Sequence, residues 1–270
     1  MPELPEVETV VRGLERTLEG RTLTRATKHR ADLRYPIPDL AVLEGAQVLH
    51  CHRRSKYALI DFSNGQTLLL HLGMSGRVVF ASPNEPPVKH DHVVLTFGNT
   101  QLRFNDPRRF GFVDIFPTQH QHSHKHLAHL GPEPLTDKFT FEGFYTALKK
   151  RQSPIKTTIM DNKLVVGVGN IYACEALFMA GIRPTTKAHK LAKGRAQKLH
   201  SAIVEVLEKA IAAGGTSLRD YVQTDGSLGY FQHQFKVYGR AGKPCQTCQT
   251  PIKIITQTGR STFYCSRCQT

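Results

Sequence analysis

The sequence predicts an α+β chain: an antiparallel β-sandwich headed by one helix, then a helical region, then a small cysteine-bearing hairpin. Three observations carry this. Short strand-like runs separated by turn signals occupy the stretch from about Thr22 to Phe116. The periodicity turns helical beyond Gly131-Pro132-Glu133-Pro134, and two Cys-x-x-Cys pairs close the chain. At 270 residues there is enough chain for one large domain or two modest ones with real cores.

The first element is a helix. Pro5 suits its first position, and Glu6 and Glu8 in the first turn favour the dipole. Val7, Val10, Val11, Leu14 and Leu18 recur at helical spacing, and Gly20 is a natural stop. Strands follow at 57–62, 67–70, 92–97 and 112–116, punctuated by Ser63-Asn64-Gly65 and Phe97-Gly98-Asn99, as in an antiparallel sandwich. Helical spacing then covers 141–151, 155–161, 170–180 and 195–213, with Gly214-Gly215 ending the last helix. The expected partition is the sandwich over 1–131, a helical domain over 132–236 and a third unit over 237–270.

Cys245-x-x-Cys248 and Cys265-x-x-Cys268 enclose sixteen residues, inside the spacing of a four-thiolate zinc site. Four cysteines close the coordination shell, so the expected zinc is structural, with no position for a catalytic water. The runs 252–255 and 262–264 would form a hairpin with Arg260 near its tip. From Arg240 onward there are five basic residues and no acidic one, the balance of a phosphate-gripping finger. Cys51 and Cys174 have no partner spacing and read as buried thiols.

The formal net charge of +14, from 36 Lys+Arg against 22 Asp+Glu, points to a polyanion, nucleic acid first. No apolar run approaches the ~18 residues of a membrane span, and the basic-then-apolar pattern of a secretory signal is missing. Paired cysteines read as metal ligands suit a reducing compartment. The expectation is a soluble, cytoplasmic protein.

The chain begins Met1-Pro2-Glu3-Leu4-Pro5-Glu6-Val7-Glu8. Removal of Met1 would leave Pro2 as a terminal secondary amine, which no side chain supplies. An α-amino group titrating near ~8 is unprotonated to roughly a tenth at neutral pH, against about a thousandth for lysine. Attack on a sugar carbon gives an iminium that stays charged and acts as an electron sink, with Glu3 beside it to move protons. A lone Met-Pro start would be unremarkable. Held a few residues ahead of an amphipathic helix, it is a candidate nucleophile.

The opening Pro-Glu-Leu-Pro-Glu-Val-Glu and the terminal finger resemble the formamidopyrimidine-DNA glycosylases of bacteria. The likeness continues through 53–57, His71-Leu72-Gly73-Met74-Ser75-Gly76, Lys89-His90-Asp91-His92, Asp106-Pro107-Arg108-Arg109-Phe110-Gly111 and the run 160–172. The resemblance implies a β-sandwich, a helix–two-turn–helix domain and a zinc finger. It also implies a monomeric enzyme that excises oxidised purines from double-stranded DNA and cuts the strand at the abasic site by β,δ-elimination. One structural zinc and no catalytic metal or organic cofactor are expected. By the same resemblance Pro2 attacks C1′, Glu3 protonates the opening sugar, Glu6 orients the N-terminus, and Lys56 joins the catalytic set at a phosphate-contact position. Met74, Arg108 and Phe110 fill the hole left by the flipped nucleotide. His71, His90, Lys156, Asn170, Tyr238 and Arg260 contact DNA. Gly167-Val168-Gly169-Asn170 ahead of a helix offers backbone amides to a phosphate. The segment 223–230 matches a loop closing over the extruded base, and Arg219 stands where relatives often carry lysine.

Met74 and Phe110 alone would read as core residues; the surrounding motifs reverse that. The dense run His120, His122, His124, His126 and His129 reads as a solvated loop and receives no catalytic role. Two functional alternatives remain: an endonuclease VIII-like enzyme for oxidised pyrimidines, and a non-catalytic zinc-ribbon DNA-binding protein. Leu4 and the Arg108-Arg109-Phe110 wedge favour the purine enzyme over the first. The second has no need of a terminal Pro2-Glu3. An N-terminal-proline tautomerase would explain Pro2 but neither finger nor charge.

Overall fold

The protein, described over residues 2–216 and 231–270 by a computed structural model, opens with helix α1 (Leu4–Leu18). Pro5 is its second residue rather than its first, because Glu3 takes the cap with an extended backbone (φ −104°, ψ −166°). Proline is tolerated at either position, since the first four helical amides have no partner within the helix. Leu4, Val7, Val10, Val11, Leu14 and Leu18 are each at most 4 % exposed, so the apolar stripe is wholly core. Burying one such side chain contributes about 1.5–3 kcal/mol, which anchors the N-terminus to the body of its unit. Gly20, at φ +79°, turns the chain out of the helix.

Eight strands follow: β1 (Arg25–Lys28), β2 (Val48–Arg54), β3 (Tyr57–Phe62), β4 (Gln66–His71), β5 (Arg77–Ala81), β6 (Asp91–Phe97), β7 (Thr100–Asn105) and β8 (Phe112–Pro117). They form two four-stranded antiparallel sheets ordered β1-β6-β7-β5 and β2-β3-β4-β8. Ala58, Ile60, Leu68 and Leu70 from one sheet share a core with Val78, Val93, Leu95, Leu102 and Phe104 from the other, and α1 packs into the same core. The sheets aim two loops. His71 at the end of β4 pairs with Phe112 at the start of β8. The loops 72–76 and 106–111 therefore leave the sandwich side by side.

Residues 2–128 with 213–216 make up this unit; residues 129–212 with 231–270 make up a second. The second carries α2 (Phe141–Lys149), α3 (Ile155–Ile159), α4 (Asn170–Met179), α5 (Lys193–Ala212) and the hairpin β9 (Lys253–Gln257)–β10 (Arg260–Tyr264). Between α3 and α4 the chain makes two turns, with Gly167 at φ +81°, which completes the expected helix–two-turn–helix. Helix α4 is buried from Ile171 through Leu177 because α3, α5 and β10 all pack on it. The hairpin turns through Thr258 and Gly259, both at positive φ (47° and 73°), the pairing that matches strand twist. No helix among the described residues is long and apolar enough to cross a membrane.

Candidate active site and nucleic-acid interface

Pro2 is buried ahead of α1, and Glu3 and Glu6 are each 2 % exposed. Glu6 Oε2 accepts the Glu3 N–H at 2.8 Å, and Oε1 accepts the Thr216 N–H at 2.9 Å. Gly215 lies against this carboxylate at φ +78°, where a Cβ would stand 3.3 Å from the Glu6 side chain. Both oxygens of Glu6 thus hold main chain, the geometry of a carboxylate that orients the N-terminal residues.

Arg54 pairs with Tyr57, so Lys56 sits in the tight β2–β3 turn, with Ser55 before it at φ 56°. His71 lies between Tyr57 and Phe112, ring centroids 5.2 and 5.1 Å away. Burial, with Lys56 and Arg34 nearby, pushes its imidazole down to about 4, so the ring is neutral at physiological pH. The Gly73 N–H donates to Nδ1 at 3.2 Å, which leaves the ring proton on Nε2. His71 is then a neutral donor, suited to a phosphate oxygen at any pH from 5 to 8.

One buried carboxylate shapes the 106–111 loop. Asp106 Oδ1 accepts from Ser75 Oγ (2.6 Å) and the Arg108 N–H (3.3 Å), and Oδ2 accepts the Gly111 N–H (2.7 Å). Gly73, at φ +61°, lets the 72–76 loop meet it: a Cβ there would lie 2.3 Å from the Phe110 carbonyl carbon. The two loops interlock and carry Met74 and Phe110, 39 % and 45 % exposed, and Arg108 stacked 4.9 Å over the Phe110 ring. Exposed apolar side chains on such braced main chain are available as wedges. His90 is half-buried at φ 76°, its carbonyl accepting the Asp106 N–H at 3.1 Å.

In the second unit, Lys156 is only 1 % exposed. Its ammonium donates to Asn170 Oδ1 and to Thr262 Oγ1 (2.7 Å), and Asn170 Nδ2 donates to the Ser261 carbonyl (2.9 Å). Lys156 therefore joins α3, the N-terminus of α4 and the hairpin, rather than standing on the surface. Glu175 accepts three consecutive main-chain N–H groups, of Lys236, Val237 and Tyr238, at 2.8–3.0 Å. Burial pushes its carboxyl up while these donors and Lys236 pull it back. Tyr238 rests between the Phe235 and Phe263 rings, and Arg260 is exposed beside the hairpin tip.

The sulfurs of Cys245, Cys248, Cys265 and Cys268 lie within 4.8 Å of one another, with contacts of 3.9 Å (Cys245–Cys268) and 3.4 Å (Cys248–Cys265). Tetrahedral zinc with 2.3 Å bonds sets its sulfurs roughly 3.8 Å apart, so the donor set fits one structural zinc. It is the only such metal-ligand cluster among the described residues. Cys51 and Cys174 are buried, and Cys174 packs against the finger. The histidine run divides. His124 stacks on Phe116 (4.2 Å) and His126 packs tilted against Phe112 (4.7 Å, 44° between ring planes), while His120, His122 and His129 are exposed.

Three family models match in order: "Formamidopyrimidine-DNA glycosylase N-terminal domain" over residues 1–113, "Formamidopyrimidine-DNA glycosylase H2TH domain" over 130–222 and "Zinc finger found in FPG and IleRS" over 242–270. The formamidopyrimidine-DNA glycosylase of Roseobacter denitrificans is 51 % identical over 282 residues, covering all of both chains. The chain belongs to the formamidopyrimidine-DNA glycosylase family. Among solved structures of the family, the MutM (FPG) protein of Thermus thermophilus is similar with TM-score 0.90 and 40 % identity, covering 99 % of this chain and 98 % of that one. A Lactococcus lactis FPG mutant complexed with Fapy-dG-containing DNA matches with TM-score 0.94 and 34 % identity over 99 % of both chains.

Sequence reasoning missed Asp106 and Glu175 as organisers of the loops that carry the expected site residues Arg108, Phe110 and Tyr238. Glu175 had a legible signal, being the one charged residue within the apolar helix α4. Asp106 stands in a motif read from the sequence, but its role was not legible there, since its partners, Ser75 apart, are main-chain amides supplied by the fold. The expected closing loop at 223–230 and Arg219 lie outside the described residues.

Proposed function

We propose that this chain is a base-excision repair glycosylase and abasic-site lyase acting on double-stranded DNA with oxidised purines, 8-oxoguanine and formamidopyrimidines foremost. The observation that carries the reading is the buried Pro2 immediately ahead of the α1 cap residue Glu3, with Glu6 bonded to Glu3 and to Thr216. Loss of Met1 turns that proline into a fixed secondary amine. The target nucleotide leaves the stack, with Met74, Phe110 and Arg108 filling the gap. Pro2 attacks C1′ and the damaged base departs as Glu3 protonates the opening sugar. The resulting iminium withdraws electrons from the sugar, so its neighbouring carbon loses a proton and the flanking phosphates leave by β- and then δ-elimination.

Lys56, His71 and His90 on the first unit, and Asn170, Tyr238 and Arg260 on the second, are the proposed DNA contacts, with Lys156 bracing Asn170. The zinc holds the knuckles of the hairpin that presents Arg260. The proposed setting is the bacterial cytoplasm, with the protein acting as a monomer.

The test is borohydride trapping on a duplex carrying 8-oxoguanine opposite cytosine, with Pro2→Gly and a thymine glycol duplex alongside. The expected result is an adduct at Pro2, formed preferentially with 8-oxoguanine and weakened in Pro2→Gly, whose terminal amine is primary rather than secondary. Preference for thymine glycol would reassign the chain to oxidised pyrimidines. Tight binding without any adduct, Met1 being absent, would leave a DNA-binding zinc protein.

A further inference from the structure

The sandwich contains a buried polar cluster that the reading above does not use. Arg103, on the inner strand β7, is 3 % exposed; Asp91 and Asn105 beside it are 5 % and 1 % exposed. Arg103 Nη2 donates to the carbonyls of Ser82 (3.2 Å) and Glu85 (2.5 Å), and Nη1 to that of Pro86 (3.1 Å), with Asp91 Oδ2 3.6 Å from Nη1. Asp91 Oδ2 accepts the Val88 N–H at 2.9 Å. Asn105 Nδ2 donates to Asp91 Oδ1 (2.8 Å) and to the Lys89 carbonyl (3.0 Å). Main-chain groups of residues 82, 85, 86, 88 and 89 are thereby held by three side chains.

Burying a guanidinium and a carboxylate costs several kcal/mol per ion, and apolar residues of similar volume would close the same space at least as stably. What the cluster adds is a fixed path for a loop whose residues 83–89 are all exposed. That path ends at Lys89 and His90. The His90 carbonyl then accepts the Asp106 N–H, so the two side chains are delivered to the base of the loop bearing Arg108 and Phe110.

We propose that Arg103, with Asp91 and Asn105, is a positioning residue for DNA: the cluster presents Lys89 and His90 together to the phosphate backbone beside the Arg108–Phe110 loop. This rests on the DNA-repair reading above and adds residues that never touch the substrate. The cluster orders the loop before DNA arrives, which removes an ordering cost from binding. A loop braced only to complete the fold would show no coupling between Arg103 and the two exposed side chains.

A double-mutant cycle decides it. Arg103→Met, the pair Lys89→Ala/His90→Ala, and their combination are compared for binding to a duplex carrying a reduced abasic site at several salt concentrations, and for single-turnover cleavage. Arg103→Met should weaken binding about tenfold and flatten the dependence of log Kd on log salt by about one, the share of one phosphate contact. The cleavage rate at saturating DNA should hold, and the combined variant should bind no worse than the Lys89→Ala/His90→Ala pair. Additive losses, or a lower saturated rate with an unchanged salt slope, would overturn the proposal. So would wild-type affinity in the Lys89/His90 variant, and Pro2 trapping would still stand in that case. If trapping failed as well, the repair reading itself would fall. Should Arg103→Met not fold, Asn105→Ala, which removes the bonds to Asp91 and the Lys89 carbonyl and the one accepted from Arg77, replaces it in the same cycle.

Discussion

His71 shows how one residue takes its properties from its neighbours. Its ring is held neutral by burial and by nearby cations, and its tautomer is set by the Gly73 N–H. The folded value, about 4, lies below the ordinary 6.5, so the unfolded chain binds the proton first as pH falls. The stability contributed by the neutral ring is complete above about pH 6.5 and is lost as the pH drops towards 4. Between pH 7 and 5 this amounts to about 1 kcal/mol once the ring's exposed edge is discounted. His71→Gln should therefore lose about that much less stability over the same interval, measured by urea unfolding at both pH values. An unchanged difference would mean that the ring is protonated in the folded protein.

The loops 72–76 and 106–111 act as one element because their main chains touch. A side chain at Gly73 has no room beside Phe110 and would sit at φ +61°, a conformation L-residues rarely adopt. Gly73→Ala should cost at least about 2 kcal/mol by thermal unfolding. It should also weaken trapping of 8-oxoguanine DNA more than of DNA already abasic, where no base remains to be pushed out. Equal loss on both substrates would put the damage in the fold alone. The elements themselves were largely legible. Strands at 57–62 and 112–116 and helices at 141 and 170 start where periodicity places them. Strands β2 and β7 carry His52, Arg53, Arg103 and Asn105 in place of clean alternation, and only pairing, of β2 with β3 and of β7 with β5 and β6, makes them strands.

Across the whole molecule, one metal and one excess of charge do different jobs. The net charge of +14 acts at long range and attracts any polyanion. The zinc acts at short range, because the hairpin it staples supplies Ser261 and Thr262 to Lys156 and Asn170. Stripping the metal with a chelator should melt the finger and lower affinity for abasic-site DNA about a hundredfold or more, followed by fluorescence anisotropy, and zinc should restore it. The main thermal transition of the sandwich should persist, since none of its core residues belongs to the finger. Full affinity without zinc would remove the finger from the interface.

Periodic elements, the zinc ligands, the Pro2-Glu3 opening and the family motifs were readable from the residues, because all of them depend on residue type and local spacing. Only the folded chain shows that Lys156 is buried against Thr262, that Asp106 and Glu175 organise loops, and that Arg103, Asp91 and Asn105 together hold residues 82–89. The partners there are mostly backbone amides and carbonyls. Every residue carries these groups, so the sequence holds no mark of which ones the folded chain will bring to a given side chain.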